Sequence, residues 1–132
     1  MKRRLDALTR IGRIQALIHE AGRAKLQSLE GRQAGLAEDL KAVFETLEAS
    51  EIAYGAHAGL AARAIRALQA RLDQTARDRE AARRAVLAQG TRAKLAEHAI
   101  EAAAVSARRL NERKELIELI ERTVARGRAS ST

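Results

Sequence analysis

The chain has no cysteine, no proline and no tryptophan, and one phenylalanine and one tyrosine among 132 residues. Without cysteine there is no disulfide framework, no thiolate zinc site and no thiol nucleophile. Without proline no residue enforces the end of a helix. With aromatics at 2%, a thick core of large side chains is excluded. No run of about 18 apolar residues exists, so a membrane-spanning helix is not expected. Asp6, Arg10 and Arg13 interrupt the basic opening 2–4, which leaves no apolar stretch of the secretory-signal kind. The simplest expectation is a cytoplasmic protein of bacterial type, at most peripheral at the inner face of the cytoplasmic membrane and not integral to it.

Helix formers dominate what remains. Alanine (30), arginine (20), leucine (16), glutamate (13) and lysine (5) make up 84 of the 132 residues. That is well above the roughly 50% share that marks long helices and coiled coils. The net charge of +8 is unevenly spread. Residues 1–25 are basic, 26–53 carry six acidic groups against Arg32 and Lys41, and 54–95 are again strongly basic.

The apolar positions repeat with helical spacing. Leu29, Leu36 and Val43 recur every seven residues, with Leu26, Leu40 and Leu47 as the companion row and Gln33 in the gap. Upstream, Ile11 and Ile18 make one row and Ile14 and Ala21 another, about one residue out of phase with the leucines. The eleven-residue spacing Ile18, Leu29, Leu40 predicts a seam that runs straighter than a strict heptad coil. In the second half two rows run from Ala61 to Val124 and from Ile65 to Glu121, and 14 of their 19 positions are apolar. This is a sustained coiled-coil seam rich in alanine, which permits close helix approach at little buried area per turn.

Gly55 and Gly59, four apart in the stretch 51–59, weaken a helix by about 1 kcal/mol each relative to alanine and mark the turn. Gly90 is the rival site. A turn near Gly55 sets the acidic block against Arg63, Arg66, Arg71, Arg77, Arg79, Arg83 and Arg84, so opposite charges select antiparallel pairing. The fold class expected is all-α. It is a single antiparallel two-helix coiled-coil hairpin over 1–132: helix one about 2–50, turn about 51–59, a longer helix two about 60–126, and a frayed tail 127–132. Beyond the reach of helix one, helix two carries Leu116, Ile117, Leu119, Ile120 and Val124 with no intramolecular partner.

Chemistry-bearing constellations are sparse. His19, His57 and His98 are dispersed without metal-ligand spacing, so no metal is expected. Gly31 and Gly35 lack the Lys-Ser/Thr of a phosphate loop, and no cofactor is implied. Paired catalytic carboxylates need a cleft, so the chain is not expected to be an enzyme. Basic clusters stand at 2–13, at Arg77, Arg79, Arg83 and Arg84, and at Arg108, Arg109, Arg113 and Lys114. These fit either phosphate contact along a nucleic acid or a solvated coiled-coil flank. Without aromatic stacking residues or a known module, nucleic acid is the weaker reading. Residues 2–18, with Leu5, Leu8, Ile11, Ile14 and Ile18 on one face, fit a membrane surface or, better, another helix.

The opening Met1-Lys2-Arg3-Arg4-Leu5-Asp6-Ala7-Leu8, the long alanine- and arginine-rich second helix and the charged stretch 108–122 resemble the FliJ/YscO type of export stalk protein. Those proteins belong to flagellar biogenesis and type III secretion. The resemblance spans the chain in length and pattern. It implies a non-enzymatic stalk that inserts into a hexameric export ATPase and promotes its assembly, and that contacts the export gate protein and export chaperones. The partner-binding residues expected are Arg108, Arg109, Arg113, Leu116, Ile117, Ile120 and Val124. The alternatives are a basic nucleic-acid-binding or condensing rod, and a parallel dimeric coiled-coil spacer.

Overall fold

The computed structural model describes residues 2–49 and 56–130, all of them helical. Helix α1 spans Lys2–Ala49 and helix α2 spans Ala56–Ser130. The second helix is the longer, and the fold is an all-α antiparallel hairpin. The turn expected at 51–59 falls outside the described residues at 51–55. Gly59 itself lies inside α2, which begins at Ala56 rather than near 60. Residues 127–130, expected to fray, are helical as well. Gly90 does not break α2.

The helices divide into two units, one of Leu17–Gly90 and one of Met1–Ala16 with Thr91–Thr132. In the first unit, the His19 ring lies against Gly90 and the Gln89 side chain covers Gly22. Further along, Glu30 meets Arg79 across the helices at 3.7 Å. Rising numbers on α1 meet falling numbers on α2, which is the antiparallel sense. In the second unit Arg4 shares a groove with Ser106, and Gly12 packs against Ile100, in the same sense.

Inward positions on α1 follow one strict three-four alternation. Leu5, Leu8, Gly12, Gln15, His19 and Gly22 are partly covered, as are Leu26, Leu29, Gln33, Leu36, Leu40, Val43 and Leu47. On α2 the rows expected at 61 and 65 are covered in the same alternation from Ala58 to Ala107, except at Arg79. One expectation fails. The phase does not change upstream of Leu26: Ile11, Ile14 and Ile18 are about half exposed, and glycine and polar residues face α2 in their place. The reason lies in the partner. Taking Ile11 and Ile18 inward would need a local change of winding in α1, and the α2 rows contain no matching insertion.

The seam is thin. Among the described residues Leu29, Ala82 and Thr75 are buried, and no side chain is fully enclosed. Small residues allow the close approach that this demands. A methyl group added at Gly12 would lie 2.6 Å from Ile100 Cδ1, and one at Gly22 would collide with Gln89 Oε1. Gln89 Oε1 is buried without a hydrogen-bond partner. Gly31 and Gly35 face open space.

The facing charge blocks yield one close cross-helix pair among the described residues, Glu30–Arg79. The tightest contacts run along α2. Arg83 donates from Nη2 to Glu80 Oε1 at 2.7 Å and from Nε to Oε2 at 2.9 Å, and Arg84 Nε donates to Oε1 at 3.2 Å. The Arg83 hydrogen bonds are the main reason the Glu80 carboxyl is held down at about 2. Partial desolvation opposes them, and the Arg83 and Arg84 charges assist. A depressed carboxylate stabilises fully above its unfolded value of about 4.3, and that contribution is lost as pH falls from there through about 2. The group is half exposed, so solvent keeps the effect small.

Two outcomes follow for stability. Leu29→Ala should lower the urea unfolding free energy by about 2 kcal/mol, the low end for a buried leucine because the site can collapse. Gly31→Ala and Gly35→Ala should each raise it by about 0.5–1 kcal/mol through helix propensity alone. In a carbon-13 NMR titration the Glu80 carboxyl should show a midpoint near 2. Arg83→Gln should return that midpoint toward the ordinary carboxylate range.

Candidate protein-interaction surface

Beyond Ala107 no α2 residue except Glu118 is even partly covered. The seam pattern nevertheless continues through Leu110, Ile117 and Val124. Residues 108–130 are therefore an amphipathic helix whose apolar side lacks cover among the described residues. Leu110, Leu116, Ile117, Leu119, Ile120 and Val124 are all exposed, between 47% and 57%.

Helix geometry decides which residues share a face. At about 100° per residue, Arg109, Arg113, Leu116, Ile117, Ile120 and Val124 fall within an arc of about 100°. Arg108 lies about 80° outside that arc, on the side of Glu115. Glu115 and Glu118 lie on the back, where Glu118 Oε2 is 3.8 Å from Arg122 Nη2, and Glu121 flanks the arc about 40° beyond Ile117. Thr123 donates its hydroxyl to the Leu119 carbonyl at 2.8 Å, so that side chain is satisfied within the helix. The face begins basic and becomes apolar over about 22 Å along the axis. Six of the seven sequence-predicted residues thus fall on one stripe, and Arg108 does not. Leu110 and Leu119 are exposed apolar neighbours outside that set. The sequence reading also missed Ile11 and Ile14 as exposed residues. Extending the Leu26–Leu47 rows upstream without a phase change would have found them.

Other candidates resolve into structural roles. The second basic cluster is largely tied up: Arg77 Nη2 donates to Gln74 Oε1 at 2.9 Å, Arg79 meets Glu30, and Arg83 and Arg84 hold Glu80. His19 packs in the seam against Gly90, and His98 Nδ1 is 3.9 Å from Glu101 on the surface. The side chain of His57 lies outside the described residues. Among the described residues no group of three metal-ligating side chains comes together. No helix there is long and apolar enough to cross a membrane.

Comparison with protein-family models, curated proteins and solved structures finds no match.

The apolar residues of 116–124 are exposed among the described residues, which gives a simple expectation. Ile117→Glu and Ile120→Glu should leave thermal stability within about 0.5 kcal/mol of the parent chain, checked by far-UV circular dichroism melts.

Proposed function

We propose that the protein is a non-enzymatic, stalk-like adaptor of a flagellar or type III protein export apparatus. In this reading the α2 arm inserts into the hexameric export ATPase and promotes its assembly, while other surfaces meet the export gate or export chaperones. One observation carries the reading: a helical arm of more than 20 residues, 108–130, continues the seam pattern with its apolar side chains exposed among the described residues. Clustered exposed apolar surface on a helix marks a contact site. The resemblance of the chain to export stalk proteins supplies the kind of partner.

The chemistry of the arm suits that role. Arg109 and Arg113 offer charge-assisted hydrogen bonds to carboxylates, and Leu116, Ile117, Ile120 and Val124 offer an apolar stripe one helix wide. Binding energy would come from the stripe, and orientation from the arginines. The nucleic-acid reading is weaker because three arginines of the second cluster are held by Glu80 and Glu30.

Removal of residues 110–132 should abolish stimulation of the cognate export ATPase, measured as ATP turnover, while helicity per residue is retained. The Ile117→Glu/Ile120→Glu variant should do the same in the full-length chain. Undiminished stimulation by both would remove the assignment.

A further inference from the structure

A second unpartnered surface lies in the unit formed by Met1–Ala16 and Thr91–Thr132. A groove of about 350 Å³ is lined by Arg4, Leu8, Ala99, Ala102, Ala103 and Ser106. These residues fix which sides of α1 and α2 border it. Ile11 lies one heptad beyond Arg4, and Ile14 and Leu95 follow at the flanking positions of the same side. Ile11 is 50%, Ile14 55% and Leu95 63% exposed. The floor is alanine, with Leu8 beside it, and Ile11, Ile14 and Leu95 continue the same side along the helices.

The rim is basic. Arg4 borders the groove directly, and Arg92 and Arg109 lie one heptad from Ala99 and Ala102 on the same side. None of the three forms an ion pair with another described residue. The acidic residues of this stretch, Asp6, Glu97 and Glu101, fall at positions around each helix that point away from it. An apolar floor with an all-cationic rim is the complement of one kind of ligand.

We propose that this groove docks an amphipathic helix of a partner protein, apolar on one side and flanked by glutamate or aspartate. Side chains of that helix seat between Ile11, Ile14 and Leu95, and its carboxylates reach Arg4, Arg92 and Arg109. The alanine floor allows helix-to-helix approach, as in a three-helix bundle. A flat bilayer surface cannot fill a concave floor, and no aromatic side chain anchors this face to one. A second copy's arm is disfavoured by charge, because its stripe begins with Arg109 and Arg113 and would bring arginine against arginine. The inference needs no export machinery; loss of this binding should leave ATPase stimulation by the arm intact.

The test uses the full chain and two labelled synthetic helical peptides. Both carry leucine on one face; one has glutamate flanks and the other lysine flanks. Fluorescence anisotropy should show saturable binding of the glutamate peptide, weakening as salt rises, and no binding of the lysine peptide. Ile11→Ser/Ile14→Ser should weaken it by about tenfold or more, given the apolar area removed. Arg4→Gln/Arg92→Gln should weaken it and flatten the salt dependence. Leu95→Ser serves as an independent variant should the double change perturb helicity. Equal binding of both peptides, or binding indifferent to these substitutions, overturns the proposal. So does a dimer in sedimentation equilibrium that Ile11→Ser/Ile14→Ser disperses. Ile11- and Ile14-dependent binding to phosphatidylglycerol vesicles without peptide binding overturns it in favour of a membrane.

Discussion

An unbroken three-four alternation shared by two helices is the constraint from which the rest follows. Along α2 the covered positions step from Ala58 to Ala107 with no inserted residue. A partner helix can interdigitate with such a row only by keeping the same count. On α1 the phase set by Leu26, Leu29, Leu36 and Leu40 therefore governs the upstream half too. Gly12, Gln15, His19 and Gly22 are carried inward and the isoleucines beside them outward. Register, here, outranks the hydrophobicity of individual residues.

What that seam lacks in apolar area it makes up in closeness. Gly12 admits Ile100, Gly22 admits Gln89, and Gly90 admits His19. At such positions dispersion contacts are gained by approach rather than by side-chain bulk. Polar occupants carry a cost, visible at Gln89 Oε1, which loses hydration without gaining a partner. In long alanine-rich helices many sliding registers bury similar area. A glutamine that fits over one particular glycine discriminates among them. The charge blocks act in the same sense: among the described residues they close one cross-helix pair, Glu30–Arg79, and they oppose parallel pairing by their sign.

Much of this was legible in the sequence because its strongest signal is periodicity. The α2 rows, the leucine rows of α1, the antiparallel sense and the uncovered stripe at 116–124 all follow from spacing, charge order and the unequal lengths of the two halves. The upstream half of α1 was misread for an identifiable reason. Ranking by hydrophobicity places Ile11, Ile14 and Ile18 inward, whereas glycine, which has no side chain to bury, scores as nothing in such a ranking. The value of Gly12 and Gly22 lies in the atoms opposite them, and those belong to residues more than sixty positions away.

The distribution of isoleucine separates covered from exposed apolar surface. Of the seven isoleucines among the described residues, Ile65 and Ile100 face the seam, while Ile11, Ile14, Ile18, Ile117 and Ile120 are exposed. Isoleucine is a poorer helix former than alanine, by a few tenths of a kcal/mol. An exposed helix position occupied by isoleucine thus lowers helix stability and wets apolar area at once. This chain places alanine at 30 positions, so the stabilising alternative is in constant use. Scattered single exceptions would need no explanation. These are grouped, at 11–18 and at 117–120, each beside arginines. Helix propensity and seam packing account for neither group. The two groups also differ in form: one flanks an alanine-floored groove, the other crests a single helix. A groove and a crest are opposite shapes, so the two proposed contacts would differ in geometry as well as in place.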